Sequence, residues 1–173
     1  LFLIFLRFND RIGIEDDSKT FLIVLSILMI FLDISEDIIR VFTGYYSITK
    51  DLPLQLCSIG VYLAAFNLMY RNQTIFNLIF YWGFVGATNA ILTPDGDLFE
   101  LRIFFFYSQG YHAALIFAVL WMMIKYDMRM DYRSILQVVI YTNIIVGLIT
   151  IVNYVLDSNC LLYTSPSPRD LST

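Results

Sequence analysis

The sequence is poor in charged residues and in the side chains that most often bind metals. Only 15% of its 173 residues are charged, and it contains one histidine and two cysteines. A soluble domain usually carries about 25% charged residues. A zinc site built from histidine and cysteine is all but excluded, although a cation site built from carboxylates is not. We expect no bound metal and no other cofactor.

Several motifs of soluble enzymes and of nucleic-acid-binding proteins are also missing. The chain has no glycine-rich phosphate loop, no G-x-S-x-G and no H-E-x-x-H. Its formal net charge is −4, and no basic stripe runs through it. Because nucleic-acid binding calls for such a stripe, we expect no nucleic-acid partner.

Apolar residues dominate what is present. Hydrophobic residues make up 58% of the chain, aromatic residues 17%, and the mean hydropathy is +0.69. A membrane span needs roughly 20 mainly apolar residues. The sequence therefore predicts an all-α, polytopic transmembrane helix bundle with five complete spans. These run approximately over Phe21–Tyr45, Leu52–Tyr70, Ile75–Leu92, Leu101–Ile124 and Ile135–Leu156.

The two ends of the sequence differ from this pattern. The stretch LFLIFLRF begins at Leu1 and is typical of the last turns of a helix, so we expect an N-terminal helix stub with its start upstream. At the other end, Cys160–Asp170 resembles the translation of a sequencing adapter. We expect a single transmembrane domain over residues 1–159 and a non-native tail over residues 160–173. Cys57 is then the one genuine thiol.

The distribution of lysine and arginine predicts the orientation. The N-terminal stub and the first, third and fifth connections lie on one side of the membrane, and the positive-inside rule places that side in the cytoplasm. That side carries Arg7, Arg11, Lys19, Arg71, Lys125, Arg129 and Arg133, and the other carries Arg40, Lys50 and Arg102.

Acidic residues lie on one face of the first complete span. A spacing of three and four residues places side chains on the same face of a helix. This spacing relates Asp33, Glu36, Asp37 and Arg40. An ionisable group at the bilayer centre costs about 2.5–3.5 kcal/mol, so such groups pair or turn inward. We expect a Glu36–Arg40 pair and a polar pocket that opens outward. The alternative is that the bilayer ends near Leu32 and these charges are solvated.

Polar side chains on the other spans are candidates for the wall of this pocket. An alternative for His112 is that it is a neutral histidine bonded only to its own helix. An alternative for Cys57 is that it is a small apolar residue that packs in the core. By helical rise alone Cys57 lies about 7 Å further out than His112. The predicted lining consists of Glu36, Arg40, Gln55, Cys57, Ser58, Asn89, Gln109, His112 and Asn153.

Four strings together resemble the YwaF family of small bacterial membrane proteins, which is related to the animal transmembrane protein 164 family. They are LPLQLCSIGVYLAAF, FYWGFVGATNAILTPD, AALIFAVLWMM after His112, and VNYVLDSN. The resemblance covers about residues 36–159 and implies six or seven helices. The animal relatives are lipid acyltransferases with a cysteine nucleophile. The resemblance therefore implies Cys57 as nucleophile and His112 as base, with Gln55 or Asn89 donating to the oxyanion.

Three hypotheses follow for the function. The first is a lipid acyltransferase or hydrolase, with membrane lipids as partners and a lipid acyl group as substrate, in the bacterial cytoplasmic membrane. The second is an ion-coupled transporter that uses Asp33, Glu36, Asp37 and His112. The third is a non-catalytic membrane scaffold.

Overall fold

A computed structural model describes residues 18–46, 54–94, 102–156 and 158, and within these ranges the chain forms helices and no strands. The predicted stub and the predicted tail lie outside the described residues. The helices are α1 (Ser18–Thr43), α2 (Leu56–Tyr70), α3 (Gln73–Ile79), α4 (Gly86–Leu92), α5 (Arg102–Lys125) and α6 (Ile135–Leu156). A π-helical turn, Phe80–Val85, joins α3 to α4, and a short 3₁₀ turn, Tyr132–Ser134, precedes α6.

All five predicted apolar segments are helical, which confirms the helical membrane bundle. Three helical stretches are long and apolar enough to cross a membrane, namely Gln73–Leu92, Arg102–Lys125 and Tyr132–Leu156. The shorter helix Leu56–Tyr70 is also apolar. Helix α1 has 26 residues, and its C-terminal half carries the acidic face.

Helix α1 packs between α2 and α5 and runs antiparallel to both. The Ser26 hydroxyl donates to the Ala65 carbonyl of α2, and two turns further along α1 the Ser58 hydroxyl of α2 donates to Asp33. Towards α5, the Phe21 ring lies 4.9 Å from that of Trp121. The core between the helices is apolar, and its fully buried residues include Met29, Val61, Leu68, Phe76, Leu115, Val119 and Met122.

Two glycines allow α2 and the π-helical turn to approach closely. A Cβ placed on Gly60 would lie 3.8 Å from the Gly83 Cα and 3.7 Å from Leu115 Cδ2. Since both glycines lack a side chain, the Leu115 side chain of α5 fills the space beside them. This three-way contact fixes the position of the π-helical turn against the start of α2.

Helix α6 lies at the periphery of the bundle. Its buried residues are Val138, Ile149 and Asn153, and much of its remaining surface is apolar and exposed. The Trp82 Nε1–H donates to the Thr142 hydroxyl at 2.9 Å, which ties α6 to the π-helical turn. The exposed apolar surface suits contact with lipid, because lipid tails solvate such side chains.

Candidate functional site

Cys57 lies in the first turn of α2 and faces the π-helical turn. Its thiol is half-buried and donates a weak hydrogen bond to the Trp82 carbonyl, with a sulfur–oxygen distance of 3.8 Å. A Cβ placed on Gly86 would lie 3.4 Å from the Cys57 sulfur, so this side of the thiol is closely packed. π-Helical turns inside α-helices often occur at functional sites. Here the turn supplies the backbone group that orients the thiol.

Asp33 is buried where α1 meets α2. It is 5% exposed, and the Ser58 hydroxyl donates to its Oδ1 at 3.0 Å. The phenol of Tyr62, one turn further along α2, lies beside the same carboxylate. The predicted pocket residue Ser58 therefore contacts the acidic face directly.

The predicted pair of Glu36 and Arg40 is present. Arg40 Nη2 lies 2.9 Å from Glu36 Oε1, and Arg40 Nε also donates to that oxygen at 3.2 Å. The guanidinium carbon lies 4.7 Å from the centre of the Phe104 ring of α5, in a cation–π contact. Both side chains of the pair are largely buried, since Arg40 is 19% and Glu36 12% exposed. These charges lie between helices and are not simply solvated.

His112 is buried in the middle of α5. Its Nδ1 lies 2.7 Å from the Ser108 carbonyl one turn earlier, which is the own-helix bond named as an alternative above. Because a carbonyl can only accept, Nδ1 carries the proton in the neutral ring and Nε2 keeps its lone pair. The Tyr111 ring packs against the imidazole with a centroid distance of 4.1 Å. His112 therefore has one ring nitrogen that can still accept a proton.

Tyr111 is a buried neighbour of the histidine. Its side chain is 6% exposed, and its ring packs against the His112 imidazole. The sequence offered no signal for Tyr111 or for Tyr62, because tyrosine is frequent in the chain and neither residue has a distinctive spacing from the acidic face. The Trp82 carbonyl was missed because a backbone group leaves no trace in the sequence.

The inter-helix contacts give the relative depths of the predicted nucleophile and base. Ser58 bonds to Asp33, and the neighbouring α1 residue, Leu32, lies 3.5 Å from a Cβ placed on Gly110. Because α2 and α5 both run antiparallel to α1, Cys57 and His112 lie on opposite sides of this level. Their backbones remain about 6 Å apart along the bundle axis, close to the separation expected from helical rise. Among the described residues, however, no hydrogen bond joins Cys57 directly to His112.

Four predicted lining residues lie apart from the contacts described above. Gln55 is half-buried just before α2, where its carbonyl accepts from the Ile59 N–H. Gln109 is half-buried on α5, and Asn89 is exposed on α4. Asn153 is buried near the end of α6 and accepts from the Ser158 hydroxyl at 2.9 Å.

Asp37, one turn after Asp33 on α1, is less buried than Asp33. It borders a largely apolar groove on α1 whose other lining residues are Ile34, Ile38, Val41, Phe42 and Tyr46. Neither Cys57 nor His112 lines this groove. Among the described residues, no group of three or more His, Cys, Asp or Glu side chains could hold a metal ion.

A comparison with known families matches nearly the whole chain. The model of the TMEM164 family covers residues 1–172. No curated protein and no solved structure matches the chain. The family match includes most of the predicted non-native tail, and the origin of that tail stays a prediction. The narrower likeness to YwaF proteins also stays a prediction. Together with the apolar helices, the match identifies an integral membrane protein, and the chain belongs to the TMEM164 family.

Proposed function

We propose that this protein transfers or hydrolyses lipid acyl groups within the membrane, with Cys57 as nucleophile and His112 as general base. The observation that carries the proposal is the state of the His112 ring. With Nδ1 bonded to the Ser108 carbonyl, Nε2 is the nitrogen that can accept a proton. A thiol needs such a base to become the nucleophilic thiolate.

The chemistry divides one acyl transfer into two steps. In the first step His112 Nε2 takes the Cys57 proton, and the sulfur attacks the ester carbonyl of a phospholipid. The C–O bond breaks, the lysolipid alkoxide takes the proton, and a thioester remains on Cys57. A hydroxyl group of a second lysolipid, or water, then attacks the thioester and restores the thiol.

The oxyanion formed in each step needs a hydrogen-bond donor. Gln55 is the better placed of the two predicted donors, because it is half-buried and only two residues before Cys57. Asn89 is exposed on α4 and lies further from the thiol in the chain. We therefore assign the oxyanion contact to Gln55.

The membrane environment supports a lipid ester as the substrate. Membrane lipids are the partners that an apolar, half-exposed helix bundle meets, and Cys57 lies at the first turn of its helix, where an ester near the head group could reach it. The resemblance to YwaF proteins supports the bacterial cytoplasmic membrane as the location.

The test uses the purified full chain in phosphatidylcholine vesicles that contain a lysophospholipid. Mass spectrometry should detect acyl exchange and a hydroxylamine-sensitive acyl group on Cys57. Cys57→Ala should abolish both, and His112→Gln should reduce acylation strongly. Asn143→Ala serves as control, because Asn143 is exposed on α6 and bonds only to its own helix. Wild-type vesicles with unchanged lipids and no acylated Cys57 would refute the proposal and favour transport or a scaffold.

A further inference from the structure

The acidic face of α1 places more negative than positive charge in the bundle interior. Glu36 is paired with Arg40 through its Oε1. Asp33 is more deeply buried than either, and among the described residues no lysine, arginine or histidine forms an ion pair with it. An ionised carboxylate buried without a compensating charge is strongly unfavourable. Asp33 therefore needs either a proton or a bound cation to neutralise it.

Two carboxylate oxygens at this position have no partner within the described part of the chain. Asp33 Oδ2 and Glu36 Oε2 are each inaccessible to solvent and accept no hydrogen bond. The two residues are three apart on α1, so they lie on one helix face. Buried polar atoms are nearly always hydrogen-bonded, and exceptions call for an explanation such as an ion.

Hydroxyl groups of α2 lie beside the same carboxylate. Ser58 donates to Asp33 Oδ1, and its oxygen keeps lone pairs for another contact. Tyr62, one turn further along α2, also lies beside Asp33. Oxygen-only surroundings of this kind suit a hard cation.

The composition of the site sets the charge of the ligand. Since Arg40 already balances Glu36, one negative charge remains, on Asp33. No group of three or more acidic, histidine or cysteine ligands exists among the described residues, which disfavours a divalent ion. A proton on Asp33 could be donated to the Ser58 hydroxyl, but it would leave Glu36 Oε2 without a partner. A metal cation can contact both unpartnered oxygens.

We propose that a monovalent metal cation, with sodium as the probe, binds between α1 and α2 at Asp33 Oδ2 and Glu36 Oε2, assisted by the Ser58 hydroxyl. The site is separate from the acyl chemistry, since it does not require Cys57 or His112. It stabilises the bundle by neutralising the buried carboxylate.

The experiment measures sodium binding to the purified full chain in phosphatidylcholine nanodiscs. Thermal unfolding is followed while sodium replaces choline at constant ionic strength, and bound radioactive sodium is counted by equilibrium dialysis. The wild type should bind one sodium ion per chain, and its unfolding midpoint should rise with sodium until it saturates. Asp33→Asn should bind none and show no sodium-dependent shift.

Two further variants keep the test decisive. Ser58→Ala retains both carboxylates and should weaken sodium binding several-fold, which provides a reading if Asp33→Asn does not fold. Asp127→Asn is the matched control, because Asp127 is exposed after α5 and pairs only with Arg129 in the described structure. Equal midpoints in sodium and choline, no bound sodium in the wild type, or full binding by Asp33→Asn would overturn the proposal.

Discussion

Replacing Gly83 by alanine tests the close contact that positions the π-helical turn. A Cβ at this position would lie 3.1 Å from Leu115 Cγ, 3.1 Å from Cδ2 and 3.2 Å from Cδ1. Leu115 is fully buried and also contacts Gly60, so it has little room to move away. Overpacking of a core costs about 1–3 kcal/mol. Alanine in a helix recovers about 0.5–1 kcal/mol relative to glycine.

The net expectation is a loss of about 1–2 kcal/mol in the free energy of unfolding. Gly147→Ala is the matched control, because a Cβ there meets nothing within 4 Å on α6. That variant should be unchanged or more stable by up to about 1 kcal/mol, since only the helix propensity changes. The sign of the effect therefore differs between two identical substitutions in one protein.

The assay is equilibrium unfolding in mixed micelles with increasing sodium dodecyl sulfate, followed by helical circular dichroism. A double variant, Gly83→Ala with Leu115→Val, shortens the crowded side chain by one methylene group and draws its methyl groups back. It should be more stable than the sum of the two single effects predicts, because the substitutions compensate each other. If Gly83→Ala is as stable as Gly147→Ala, the proposed close packing is wrong.

Two other contacts give predictions in the same unfolding assay. Arg40→Gln should lower the free energy of unfolding by about 3–5 kcal/mol, because it leaves the Glu36 carboxylate buried without its partner. The double variant with Glu36→Gln should lose less, and equal losses would contradict the role of the ion pair. Trp82→Phe and Thr142→Val should each remove the hydrogen bond between the π-helical turn and α6, which contributes about 1 kcal/mol to the free energy of unfolding. The double variant should lose less than the sum of the two single losses. Strictly additive losses would show that the bond contributes nothing.

The sequence was sufficient for features that depend on one segment at a time. The five apolar runs predicted the five helical segments because spanning a membrane requires long apolar stretches. The spacing of four between Glu36 and Arg40 predicted their ion pair because residues at that distance adjoin on a helix. The own-helix bond of His112 was also foreseeable as an alternative, since its partner is one turn away.

Only the tertiary structure decided how the segments meet. Helical periodicity gives each span its faces, but neither its rotation towards a neighbour nor its depth relative to that neighbour. The contact of Asp33 with Ser58 therefore required the packed bundle. The same holds for the thiol of Cys57 against the Trp82 carbonyl, because a π-helical turn placed by two glycines brings that carbonyl to α2. The physical reason is that inter-helix register depends on the shapes of many side chains at once, and no single segment contains that information.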